Sequence, residues 1–254
     1  MKSKRLAEQS IGRIASGLVE QDNLGLRTID FVHEQLPTWR DDPDRPFEQA
    51  EPKLNSQLCD FLDSRARNVF PMVRFKHEEL QLGRRSVDLS AKPVESMVLE
   101  ARLYTIYDPI LVLECKRLPA PSIDRKREYV TGGEKRNGGI QRFKLGLHGA
   151  GLGLVAMIGY VQKHSVRHWH REINEWISEL CSGAVTDVCE WNEKETLEPL
   201  EENIRKGLAS CRSVHIRTIG KSSNVVEIHH LWISMDTRQK DKNKKVLTRQ
   251  TKLN

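Results

Sequence analysis

The sequence predicts an α/β fold: a mixed β-sheet core flanked by helices, with an N-terminal helical segment and a C-terminal helix-plus-hairpin layer added to it. Three observations predict it. Apolar residues recur at helical spacing before about residue 70 and again after residue 166. Between these, Ile110 to Cys115 (Ile-Leu-Val-Leu-Glu-Cys) is a nearly continuous apolar run, as a strand buried on both faces requires. Near the end, Val214 to Ile219 and Val225 to Met235 flank Gly220-Lys-Ser-Ser-Asn224 and read as a hairpin.

Taken in order, Lys4 to about Gln35 carries a stripe of Ile11, Ile14, Leu18, Ile29, Val32 and Leu36 and is read as helical. Asp41 to Pro46 contains two prolines that forbid helix and marks a turn or linker. A second amphipathic helix is expected from Phe47 to about Val69, facing inward through Leu54, Leu58, Phe61 and Leu62, with Pro52 tolerated in its first turn. Met72 to Glu78 and Arg84 to Ala91 read as two strands around Gly83, and Val98 to Tyr107 as a further strand or an insertion. From Arg117 to Gly139 the chain is basic and carries two glycine pairs, the pattern of a mobile surface loop. A helix from Gly139 to Leu147 and a strand from Leu152 to Val161 follow. Val166 to Leu180 spaces Trp169, Ile173, Trp176, Ile177 and Leu180 along one helical face, and another helix is expected over Leu197 to Ala209. Residues 1–46 are thus read as a helical extension, 47–236 as the main domain with its core at about 51–161, and 237–254 as a basic, disordered tail.

Composition narrows the class. An apolar fraction of 38% with 30% charged residues suits a water-soluble protein, and a net charge of +6 favours a polyanionic partner without requiring one. Five scattered cysteines with no Cys-x-x-Cys argue against a zinc ribbon or disulfide scaffold and for the reducing cytoplasm. No signal peptide is evident in residues 1–18. Leu152 to Val161 is too short to span a bilayer, so no membrane is expected. No Gly-x-x-x-x-Gly-Lys is present, and Gly149, Gly151 and Gly153 precede a strand where a dinucleotide loop would follow one.

Chemistry concentrates at the end of the apolar strand. Side chains alternate across a strand, so Glu114 and Lys116 project together while Leu111, Leu113 and Cys115 pack on the other side. Asp88 stands on an earlier strand, flanked by core residues Val87 and Leu89. Carboxylates and an ammonium at the edge of a core are costly unless compensated, and a hard divalent cation such as Mg²⁺, with Mn²⁺ as a substitute, compensates them while needing only one or two carboxylates.

Asp88 followed by Glu114-Cys115-Lys116 on an apolar strand resembles the PD-(D/E)XK superfamily of restriction-endonuclease-like nucleases, over about Glu51 to Val161. The resemblance implies an α/β core and metal-dependent hydrolysis of nucleic acid, DNA before RNA, by endonucleolytic action. It makes Asp88 and Glu114 metal ligands, Cys115 a ligand through its main-chain carbonyl, and Lys116 the group that orients or activates water. Glu51, opening the first core helix, corresponds to an additional acid of many members, with Glu78 and Glu79 as competitors. Gln141, or its neighbour Arg142, stands where members place a polar residue on the following helix. Val87 replaces the proline that often precedes the first acid. A role in restriction or phage defence is implied, with a helicase or sensor partner or a homo-oligomer.

Arg125, Lys126, Arg127, Lys135, Arg136, Arg142 and Lys144 follow the centre closely and are the expected phosphate contacts, with Tyr129 a candidate for stacking on a base. His164, His168 and His170 are read as surface residues, and His215, His229 and His230 as structural members of the closing hairpin. Two rivals share the fold: a nucleic-acid-binding module without catalysis, and a protein-interaction subunit. A lone Glu-x-Lys is by default a salt-bridged strand end; the apolar strand before it and the second acid at Asp88 are what argue for a site.

Overall fold

Helix α1 (Leu24–Arg40) buries Leu24, Ile29, Phe31, Val32, Leu36 and Trp39, the stripe the spacing indicated. The computed structural model describes residues 24–235 apart from 82–84, 100 and 220–221. Ile11, Ile14, Leu18 and the lysine-rich tail therefore lie outside the described residues. The helix passes through Pro37 and ends later than expected. Its last turn is anchored by Trp39, which packs against Tyr160 at 5.7 Å, and by Arg40, which donates to the carbonyls of Lys206 (3.0 Å) and Ser234 (2.9 Å). Those contacts offset the hydrogen bond that proline cannot make. Helix α2 (Glu51–Val69) starts after the turn at residues 41–50, with proline in its first turn, and buries Leu54, Leu58 and Leu62.

Strands β1 (Val73–Leu80) and β2 (Ser86–Pro93) pair antiparallel as a hairpin. The uncertain stretch at Val98 to Tyr107 is a separate two-stranded ribbon, β3 (Met97–Leu99) with β4 (Arg102–Tyr104). Strand β5 (Leu111–Leu118) is the apolar run, and helix α3 (Gly139–Lys144) carries the chain to β6 (Leu154–Val161), which pairs with β5 in parallel. Helix α4 (Val166–Cys181) buries Trp169, Ile173, Trp176, Ile177 and Leu180, as read, together with Val166. Short β7 (Glu201–Asn203) leads into the long hairpin of β8 (Leu208–Ile219) and β9 (Ser222–Ser234).

One mixed seven-stranded sheet results, in the order β1-β2-β5-β6-β9-β8-β7. Its centre is the parallel trio β5, β6 and β9, so the hairpin expected to close the fold contributes a central strand. One core lies against α1 and α2 and includes Leu111, Leu113 and Cys115; the other lies against α3 and α4 and includes Val112, Met157 and Trp232. Helix α1, read as part of an extension, packs in the first of these cores. No described helix is long and apolar enough to cross a membrane.

Two expectations are corrected. Leu197 to Ala209 is no helix. Leu197, Leu200, Ile204 and Leu208 mimic helical spacing, but Ile204 is exposed and Gly207, at φ +63°, turns the chain from β7 into β8. A side chain at Gly207 would also strike Arg40. The basic segment 117–139 is packed, not a mobile loop: Tyr129, Val130 and Thr131 are buried, and the carbonyls of Glu128, Tyr129 and Val130 accept the first N–H groups of α3 at 2.8, 3.2 and 3.0 Å. Gly138 permits this approach, since a Cβ there would meet the Thr131 backbone at 2.3 Å.

Candidate metal centre

The centre forms where β2 and β5 part. Their ladder pairs Leu89, Ser90 and Ala91 with Leu113, Val112 and Leu111 and stops short of Asp88 and Glu114. Across the gap Asp88 Oδ2 accepts the Cys115 N–H at 2.7 Å, which keeps that peptide group satisfied where the ladder ends. Val87 and Leu89 on either side are fully buried, as expected. Alternation then places Glu114 and Lys116 together: Lys116 Nζ donates to Glu114 Oε1 at 3.0 Å, to the Cys115 carbonyl at 2.9 Å and to Glu51 Oε1 at 3.3 Å. Glu51, from the first turn of α2, also accepts the Arg117 N–H at 3.0 Å through Oε2. Asp88, Glu114, Cys115, Lys116 and Glu51 are thus brought together. Glu79, the competitor, is instead tied to Lys92 at 2.8 Å and Lys76 at 3.0 Å along β1 and β2.

Two groups close over the centre from the β5–β6 crossover. Arg142 Nη1 on α3 makes a close ion pair with Glu114 Oε1, and His148 Nδ1 meets Glu114 Oε2 at 2.9 Å. Since Glu114 can only accept here, His148 carries a proton on Nδ1. Arg217, fully buried, braces this crossover by donating to the carbonyls of Phe143 (2.8 Å), Ala150 (3.1 Å) and Leu152 (3.0 Å). Glu114 is completely buried, while Asp88 and Glu51 retain partial exposure.

Electrostatics follow the geometry. Burial opposes charge on Glu114, but Lys116, the His148 hydrogen bond and Arg142 outweigh it and hold the carboxyl far below the usual range. Lys116 is likewise penalised by burial, yet Glu114, Asp88 and Glu51 keep its ammonium firmly protonated. Asp88 is pushed up to about 7, first by burial and then by the charge of Glu114, with Lys116 and the Cys115 N–H only partly relieving it. Three carboxylates face one lysine and one arginine, and Asp88 bears the uncompensated charge.

A divalent cation suits this donor set. Asp88 Oδ1 makes no hydrogen bond among the described residues, Asp88 Oδ2 is held by the Cys115 N–H, and the Glu51 carboxylate and the Cys115 carbonyl converge on Lys116. No cluster of three or more His, Cys, Asp or Glu poised for a metal is found among the described residues. Mg²⁺ does not need one, because it retains several waters and takes one or two carboxylates.

Other expected site residues lie elsewhere. Gln141 points away from the centre. Its Oε1 accepts the N–H groups of Gly132 (3.1 Å) and Gly138 (3.2 Å), and its Nε2 donates to Gly133 O (2.8 Å) and Asp187, so it staples the glycine segment. Lys144 is buried in an ion pair with Glu195, whose two oxygens it meets at 2.6 Å, and cannot reach a phosphate. Tyr129 is buried, accepting from Trp232 Nε1 and bonding His230 Nδ1, each at 2.8 Å, so base stacking is ruled out. His230 continues through Ser213 to His215, which confirms these two histidines as structural; His229 is partly buried and meets Glu227 at 2.8 Å. Arg125, Lys126, Arg127 and Lys135 do line one open cleft of about 540 Å³ with Thr131 and Gly132. There Arg125, Lys126 and Arg127 pair with Glu128, Glu172 and Glu179, whereas Lys135, and its neighbour Arg136, make no ion pair among the described residues.

Sequence reading missed His148; it offered Arg142 both as a phosphate contact and as the alternative to Gln141 on the helix after β5, and of those two neighbours it is Arg142 that meets Glu114. One signal was available: a crossover between parallel strands must run back over the face that carries Glu114, so its polar residues are candidates to meet that acid. No family model matches this chain, and neither does any curated protein or solved structure.

Proposed function

We propose that this protein is a Mg²⁺-dependent nuclease of the restriction-endonuclease-like, PD-(D/E)XK type, cutting phosphodiester bonds internally in DNA. The observation that carries the reading is the convergence of Asp88, Glu114, Lys116 and Glu51 from β2, β5 and α2 at the point where β2 and β5 part. Asp88, Glu51 and the Cys115 carbonyl would hold the ion, with Glu114 joining them once a cationic partner gives way. When bound, the ion supplies charge neutralisation at the phosphate and lowers the pKa of a bound water. The protein's own part is positional. Lys116 spends its three N–H groups on Glu51, Glu114 and the Cys115 carbonyl, and exchanging one of these acceptors would let its ammonium hold a hydroxide or a phosphate oxygen beside the acids. The Cys115 N–H holds Asp88 against the backbone of β5, next to Glu114. Lys135 and Arg136, which make no ion pair among the described residues, are the surface cations best placed for the phosphate backbone.

The test is cleavage of linear, circular and single-stranded DNA and of RNA with Mg²⁺ or Mn²⁺, beside Lys116→Ala and Glu114→Ala. Loss of cutting in both variants with binding retained supports the proposal, and cutting of a closed circle supports internal attack. A second reading rests on the capping of Glu114 by Lys116, Arg142 and His148: a nucleic-acid-binding module in which the acids are purely structural. Salt-sensitive binding with no cleavage under either ion selects that reading.

A further inference from the structure

Glu114 is the proposed ligand least able to serve as one. Its Oε1 is shared by Lys116 and Arg142, its Oε2 is taken by His148, and none of its surface is exposed. The three partners differ in freedom. Lys116 is buried and fixed by Glu51 and the Cys115 carbonyl as well. His148 is buried, on a crossover braced by Arg217. Arg142 alone reaches the surface: its side chain is 24% exposed, Glu114 is its sole ion-pair partner among the described residues, and its buried Nε has no hydrogen bond among them. An arginine held by a single contact at the mouth of an acidic centre has another acceptor available wherever a phosphate approaches.

We propose that Arg142 is a substrate-operated latch: it caps Glu114 while the protein is free, and moves onto a backbone phosphate when nucleic acid binds, releasing the carboxylate to complete the metal centre. This rests on the nuclease reading and deepens it. The charge balance favours such coupling. Asp88, Glu51 and Glu114 contribute three negative charges, and Lys116 and Arg142 two positive ones. A divalent cation added with Arg142 still on Glu114 leaves the cluster positive and sets a third cation, beside Lys116 and Arg142, on one carboxylate. Bringing in a phosphate removes both objections at once. Metal and nucleic acid then each strengthen the other's binding by the same factor, as linkage demands. Gln141, the neighbour of Arg142, is pinned by Asp187 and three glycine peptide groups, so the movement is confined to the arginine side chain and leaves α3 in place.

The experiment measures Mn²⁺ affinity of the full chain by electron paramagnetic resonance, with and without a phosphorothioate oligonucleotide that resists cleavage, for wild type, Arg142→Gln and Glu114→Gln. Wild type should bind Mn²⁺ roughly tenfold to a hundredfold more tightly with the oligonucleotide, the range expected for one charge-assisted contact. Arg142→Gln should bind Mn²⁺ that tightly without it. The substitution leaves Glu114 paired to Lys116 and His148, so the fold is retained, and a thermal melt checks this. If Arg142→Gln binds Mn²⁺ no better than wild type while Glu114→Gln binds it worse, the latch is wrong and the metal centre stands. Equal Mn²⁺ affinity of wild type with and without oligonucleotide also overturns the latch. If Glu114→Gln binds Mn²⁺ as wild type does in the presence of the oligonucleotide, Glu114 is no ligand and the latch falls; if none of the proteins binds it with or without the oligonucleotide, the metal centre itself falls.

Discussion

Replacing Asp88 by asparagine should stabilise the protein while removing its activity. Asp88 loses its proton near 3.8 in an unfolded chain and near 7 in the folded one, because burial and Glu114 oppose its charge. Between those values the folded state holds more protons than the unfolded state, so wild-type stability declines as pH rises through the window and levels off above about 7. The gap between the two values corresponds to roughly 4 kcal/mol, and relaxation of the partly exposed side chain brings the expected penalty to about 2 kcal/mol. The asparagine amide cannot ionise, and its oxygen can still accept the Cys115 N–H. The variant should therefore match wild type near pH 4 and melt higher by roughly 4–8 °C at pH 8 in chelator, the scale for a domain of this size. Adding Mg²⁺ at about a hundred times its Kd should then raise wild type by roughly 2.7 kcal/mol and the variant far less. Thermal unfolding from pH 4 to 9, with and without Mg²⁺, measures both effects. Parallel pH profiles, or a variant less stable than wild type at pH 8, would refute the account of an acid held against its preference.

Lys144→Met should destabilise by about 3–5 kcal/mol in urea unfolding, since it leaves Glu195 charged and buried; the Lys144→Met, Glu195→Leu double variant should recover part of the loss. Burial opposes charge on Glu195, but His215 and Lys144 together hold it near 2, so wild type keeps this contribution above about pH 4.5 and sheds it only as pH falls towards 2. Tyr129→Phe should cost about 2–4 kcal/mol by orphaning His230 and Trp232, yet leave nucleic-acid affinity unchanged; a loss of affinity with normal stability would return Tyr129 to the substrate. Lys135→Ala with Arg136→Ala should weaken nucleic-acid binding and lower its salt slope by about 1–2, measured by fluorescence anisotropy across salt concentrations.

What the sequence made legible is what a single element determines. Helix α4 was readable to within one residue because its buried face repeats over sixteen positions, and the existence of β5 because a run apolar on both faces has few other homes. Alternation alone placed Glu114 beside Lys116. The same local logic failed at Leu197 to Ala209, where apolar spacing suited a helix but Gly207 and the pull of Arg40 on the following turn decided for strands. It failed again at segment 117–139, where glycine pairs suggest freedom and the fold uses Gly138 to let two backbones touch.

The misplaced residues share a cause. Whether Lys144 meets solvent or Glu195, and whether Arg142 meets a phosphate or Glu114, depends on partners 51 and 28 residues away in sequence. Neither partner is marked by spacing. Topology supplies what spacing lacks: with β6 parallel to β5, the crossover covers one face of the sheet, here the one that carries Glu114, and its cations fall on either the acid beneath or the solvent above. Lys144 and Arg142 stand two positions apart on that short helix, about 200° around it, and so cannot share a fate. A sequence reading that fixed the crossover first would have chosen Arg142 over Gln141 for the centre and barred Lys144 from the substrate. The arginine left at the mouth of the centre is then the group whose movement decides whether Glu114 can take part at all.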